Sequence, residues 1–200
     1  MKKFLGLAFL LIILIIFNLK VTHFFIPKIE TKINNLVDTS LYHSNFNSKL
    51  YNFLINKDNR IKVYNSAVNL NNNASSNSCV FFISEVLREN NYSISEDTAN
   101  TETLIEKLSK KSWKKELDYR KMKPGDICFT TDEKGRKNGI PSHTYIFMNW
   151  VTEGKYDFAM VCDNQAKDYG NLIYHKRNIN FKYSLNGKEK DGFSFFMYML

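Results

Sequence analysis

Thiols and imidazoles are scarce in this chain, with three cysteines and four histidines among 200 residues. Cys79, Cys128 and Cys162 form an odd set without a CxxC pair. Neither a disulfide framework nor a zinc knuckle is therefore indicated, and at least one thiol is left free. His23, His43, His143 and His175 build no HExxH or HxxxH cluster, which argues against a metalloenzyme, and nothing calls for a cofactor. There is no internal repeat. The net charge of +8 is spread along the chain with no aromatic RNA-binding signature beside it, so nucleic acid is a poor fit. Anionic lipid headgroups or an acidic cell-wall polymer suit that charge better.

What is abundant is apolar. Hydrophobic residues make up 44% and aromatics 14% of the sequence, enough to fill a core and to exclude wholesale disorder. Met1-Lys2-Lys3 precedes an almost unbroken apolar run from Phe4 to Leu19, closed by Lys20. This is the pattern of an export signal or a single spanning helix. The following residues, Asn18 to Phe25, offer no pair of small residues for a signal peptidase, and no lipobox cysteine is present. The expectation is an uncleaved anchor over 1–20 with the lysines inside and the rest of the chain extracytoplasmic. Secretion after cleavage is the alternative.

Residues 21–61 read as a juxtamembrane stalk or one or two short helices, with Leu50, Phe53 and Leu54 in helical spacing. Residues 62–200 read as one domain. The turn and cap formers from Asn69 to Ser78 feed a helix from Cys79 to Asn90, with Ser78 or Asn77 as its cap. A second helix is expected over Thr103 to Lys111. Pro124-Gly125-Asp126 is a tight turn whose acid caps it, leading into a strand at Ile127–Thr130. Strands over Ser142–Trp150 and Tyr156–Asp163 fold back about Glu153-Gly154-Lys155, and Asn171–His175 and Phe193–Met199 supply two more.

A cysteine becomes a nucleophile as its thiolate, and the first turn of a helix favours negative charge. Cys79 occupies that position. His143, at the head of a strand, is the candidate general base. Folding the two strands symmetrically about their turn sets His143 against Asp163, which makes Asp163 the first choice for the group that orients the imidazole. Gln165 shares that face and is second; a one-residue slip of register would promote Asn164. Cys128 and Cys162 read as core residues, His175 as a surface residue, and Tyr64 as a weak oxyanion candidate.

Three stretches resemble the NlpC-type cell-wall peptidases and the related CHAP amidases: Ser78-Cys79-Val80-Phe81-Phe82, Lys123-Pro124-Gly125-Asp126-Ile127, and Ser142-His143-Thr144-Tyr145-Ile146. Ser78 stands where that family usually has an acid, and Val80 and Phe81 where it has small residues. The resemblance implies an α+β, papain-like fold, a nucleophile-bearing helix packed on an antiparallel β-sheet. It also implies a cysteine peptidase or amidase acting on peptidoglycan. A non-catalytic wall- or protein-binding module, and a cysteine peptidase or acyltransferase on another substrate, are the alternatives.

Overall fold

The computed structural model describes residues 46–200. The expected anchor over 1–20 and the first part of the expected stalk lie outside the described residues. Among those described, no helix is long and apolar enough to cross a membrane. The body belongs to a compact unit running from His43 to Leu200.

Among the described residues four helices come first: residues 46–55 (α1), Lys57–Leu70 (α2), Cys79–Glu89 (α3) and Thr101–Ser109 (α4). Eight strands follow: Trp113–Glu116 (β1), Ile127–Thr130 (β2), Thr144–Thr152 (β3), Lys155–Cys162 (β4), Tyr174–Asn178 (β5), Tyr183–Leu185 (β6), Lys188–Lys190 (β7) and Phe193–Met199 (β8). Six strands form an antiparallel sheet in the order β1-β8-β2-β3-β4-β5, and β6-β7 is a separate hairpin. The class is therefore α+β.

The sheet is covered on both faces, and its strands alternate between two cores as the period-2 pleat requires. Ile127, Phe129, Ile146, Phe195 and Met197 join the helices in one cluster. Cys128, Tyr145, Phe147, Val161 and Phe196 point the other way, into a second cluster with Met122 and Ile179. The helix α3 is buried almost all round, from Cys79 to Leu87, because it is sandwiched between α2 and β3. At about 1.5–3 kcal/mol for each fully buried large apolar side chain, Phe82, Ile83, Val86 and Leu87 make it the central pillar.

The domain begins earlier than residue 62. Leu50 and Leu54 of α1 are fully buried in the helix-side core, and Asn47 Nδ2 donates to Asp126 Oδ1 at 2.7 Å. Asn47 Oδ1 also accepts from the N–H of Met199 at 3.2 Å. The apolar stripe at 50, 53 and 54 thus belongs to the body and not to a stalk. Gly125 permits the approach: its φ is +94°, and a Cβ there would fall 1.8 Å from the Asn47 carbonyl oxygen. Asp126 caps its own turn as expected, accepting from the N–H of Lys123 at 2.8 Å. Burial pushes its carboxyl up to about 7 against the pull of those two donors.

Two boundaries shift for local reasons. The helix α4 starts at Thr101 because the Asn100 side chain accepts from Thr103 N–H. The strand β5 starts at Tyr174 and not at Asn171, since a short 3-10 turn over Ala166–Tyr169 ends in left-handed Gly170 and Asn171. The β6-β7 hairpin was not anticipated, although Asn186-Gly187, both at positive φ, is the dipeptide that such a tight turn demands.

Candidate active site

Cys79 opens α3, and the loop before it is built to present that end. Asn72, Asn73 and Asn77 take left-handed backbone, which Asn tolerates better than other side chains. Asn71 Nδ2 ties the loop down by donating to the carbonyls of Ala74 and Ser76 at 2.8 and 2.7 Å. Ser78 sits in the cap position, yet its side chain does not cap the helix. Its hydroxyl donates instead to the Ser75 carbonyl at 2.9 Å and accepts from Asn164 Nδ2 at 3.1 Å. The first-turn N–H groups beside the Cys79 sulfur are thereby left without a side-chain cap, in the place where an oxyanion would need donors.

His143 is held by the strand next to it. Its N–H donates to Thr130 Oγ1 at 3.0 Å, and its carbonyl accepts from Thr130 N–H at 3.1 Å. The imidazole Nε2 meets Asp163 Oδ2 at 2.9 Å, and Cys79 stands close enough to the ring to act on its charge. Burial alone would lower the His143 pKa; the bond to Asp163 and the proximity of Cys79 outweigh it and raise it. Burial would likewise raise Asp163, but the bond to His143 and the charges of His143, His175 and Arg177 hold it well below the ordinary carboxylate range. An ionised Asp163 only accepts, so Nε2 carries the hydrogen and Nδ1 is left to take the thiol proton.

The three candidates for the orienting position part company. Asp163 Oδ1 accepts from the N–H of Gln165 at 2.8 Å, so both its oxygens are engaged and the carboxylate is fixed. Gln165 directs its Oε1 to Arg177 Nη1 at 3.0 Å. Asn164 donates to Ser75 and Ser78 and so braces the loop that carries Cys79. The strand register also differs from the symmetrical fold-back, which would set residue 144 opposite 162; Cys162 faces Ile146 instead, after a bulge between Phe147 and Asn149. A slip of two preserves the face, so His143 and Asp163 still meet, on a diagonal.

His175 is not a surface residue. It is buried, its ring lies 3.6 Å from that of Tyr169, and its Nε2 is 3.3 Å from Asp163 Oδ1. Burial, reinforced by Arg177 and His143, drives its pKa down to about 4 despite Asp163. It is therefore neutral at pH 7, and neither ring nitrogen is aligned for a hydrogen bond; the contact is a close packing and not an ion pair. Arg177 is also new relative to the sequence reading. Nothing in the Tyr-His-Lys-Arg-Asn string of β5 marks it beyond its alternation with exposed Lys176. Tyr64 packs against the helix-side core and borders neither cavity at the site. Cys128 and Cys162 are fully buried, and burial pushes both thiols up.

Two cavities flank the Cys–His pair. One, of about 420 Å³, opens over Cys79 and is bordered by Asn77, Val80, Thr101, Ile140 and Pro141. The other, of about 370 Å³, reaches His143, Gln165, Arg177, Lys190 and Asp191. Glu133 and Ser142 border both, so the pair stands where the two meet. An arrangement with a helix-start thiol, a base beside it, an acid behind the base and space on either side is able to perform acyl transfer. The chain matches no protein-family model, no curated protein and no solved structure.

Proposed function

We propose that this protein is a papain-like cysteine hydrolase of the NlpC and CHAP kind that cleaves a peptide or amide bond. The observation that carries the reading is the His143 ring, bonded through Nε2 to a buried, ionised Asp163 and standing near Cys79 at the head of α3. The Cys79 sulfur attacks the carbonyl carbon as its proton passes to His143 Nδ1, and the tetrahedral oxyanion is received by the uncapped N–H groups of α3. His143 then returns the proton to the leaving amine, and an acyl-thioester remains on Cys79. Water, deprotonated by the same imidazole, hydrolyses that thioester and restores the thiol. Asp163 keeps the ring in the required tautomer and stabilises the imidazolium.

The substrate in this reading is peptidoglycan, as an endopeptidase of stem peptides or an amidase, with an N-terminal anchor that holds the domain outside the membrane. Purified full-length protein, incubated with peptidoglycan sacculi, releases soluble fragments detectable by chromatography, and the Cys79→Ala form releases none. If both forms are equally inert on sacculi and iodoacetamide labels Cys79 no faster than a free thiol, the reading gives way to a non-catalytic binding module.

A further inference from the structure

Resting on the hydrolase reading, we propose that the cavity beside His143 is a carboxylate-binding subsite for the leaving half of the substrate, with Arg177 as its counter-ion.

Arg177 is 1% exposed, and a guanidinium is protonated at any working pH. Burial works against that charge, while the ionised Asp163 favours it from beyond ion-pair distance and the Tyr145 ring lies 5.3 Å from the guanidinium carbon. Among the described residues no carboxylate lies within ion-pair distance of it. Its Nη1 donates to Gln165 Oε1 at 3.0 Å and its Nη2 to the Asp191 carbonyl at 3.0 Å, both neutral oxygens, and its Nε has no partner. Lys190, the other buried cation at this cavity, shows the usual solution: Asp168 Oδ2 stands 2.6 Å from its Nζ. A buried cation without a directly paired carboxylate is costly, and Arg177 borders a space large enough to hold a small ligand group.

The acids at the cavity are already committed or stand at its rim. Asp191 accepts from Ser142 Oγ at 2.5 Å and lies 3.5 Å from Lys182 Nζ, which also approaches Glu189 at 3.6 Å. Glu133 and Glu189 are exposed. A carboxylate entering from the His143 side therefore meets Arg177 as its strongest partner, with the planar fork suited to it.

Chemistry assigns the side. His143 borders this cavity and Cys79 borders the other, and the general acid must reach the departing nitrogen. The amine-bearing half of the substrate thus lies over the Arg177 cavity, and the acyl half over the cavity at Cys79. The substrates implied are those whose leaving amine carries a carboxylate close by: a C-terminal amino acid or an acidic residue.

The test measures binding without turnover. The full-length Cys79→Ala protein is titrated calorimetrically with acetyl-alanyl-glutamate, and separately with the uncharged acetyl-alanyl-glutamine amide. The acid is expected to bind at least tenfold more tightly, Arg177→Gln to abolish the difference, and Arg177→Lys to keep part of it. Thermal melts of both variants check that they fold. Equal binding of the two ligands, absence of binding by either, or a preference that survives in a folded Arg177→Gln protein overturns the subsite. Failure of the hydrolase reading shows elsewhere, as absence of sacculus cleavage by the natural protein, and leaves this titration interpretable.

Discussion

The head of α3 and the interior of the sheet each hold buried thiols, and they differ in everything except burial. Cys128 and Cys162 sit at strand positions deep in the core, where desolvation dominates and drives the proton onto sulfur. Cys79 is 8% exposed, almost as covered, yet it borders an open cavity, begins a helix and stands near an imidazole. Burial by itself makes a cysteine inert; a helix terminus, a base and a route for a ligand are what separate a nucleophile from a small hydrophobe.

The sharpest way to break this comparison is to remove each thiol in turn. Cys79→Ala is expected to lower hydrolysis of sacculi by at least about 10⁴-fold with little change in melting temperature. Cys128→Ala and Cys162→Ala should keep the rate within a few-fold and lose stability instead. Chromatography of released fragments and thermal melts read both halves. If the sheet variants lose activity as fully as Cys79→Ala while remaining folded, the contrast is wrong.

Alkylation compares the thiols directly. In the native protein iodoacetamide should label Cys79 about a hundredfold faster than Cys128 or Cys162, and all three alike once urea has unfolded the chain. Peptide mass mapping over time provides the rates, and His143→Ala should slow the Cys79 reaction.

The pH dependence of stability probes the group behind the base. The folded pKa of His175 is depressed from 6.5 to about 4, so protons bind the unfolded chain more readily. The stability it confers is complete above pH 6.5 and is lost as pH falls toward 4. At 1.36 kcal/mol per unit this amounts to about 3 kcal/mol. Urea unfolding at pH 7 and pH 4 should show a smaller loss for His175→Gln than for the natural chain, and parallel curves would remove the buried neutral histidine from the account.

The smallest effect concerns the loop that offers up Cys79. Asn164→Ala deletes two donors to Ser75 and Ser78 and should cost about 1–2 kcal/mol. Turnover should fall more than binding weakens, since the loop sets the position of the sulfur. A loss confined to KM would assign Asn164 to substrate contact.

Local signals made much of this legible. The apolar stripe after a run of turn formers marked α3, the Pro-Gly-Asp turn marked β2, and the separation of His143 from the Gly154 turn pointed to Asp163. What escaped were features set by distant partners. Two register irregularities in β3, at Phe147/Asn149 and Trp150/Thr152, leave the pairing at Ile146 and Cys162 two residues from the symmetrical fold-back, and only the evenness of that number keeps Asp163 on the right face. His175 read as a surface residue, and Arg177, beyond the expected strand, drew no notice, because their burial comes from Tyr169 and Tyr145, which no window around β5 reveals. Leu50 and Leu54 read as a stalk because the core that covers them begins far downstream.

The clasp between Asn47 and the Gly125-Asp126 turn has a practical corollary for anyone trimming the gene. A fragment starting at residue 62 would forfeit α1 and the start of α2, strip two leucines from the core and leave the Asp126 carboxyl without its Asn47 donor, so it should misfold or precipitate. The shortest autonomous piece starts ahead of Phe46, and expression trials that step the first codon backward from 62 should find solubility returning there.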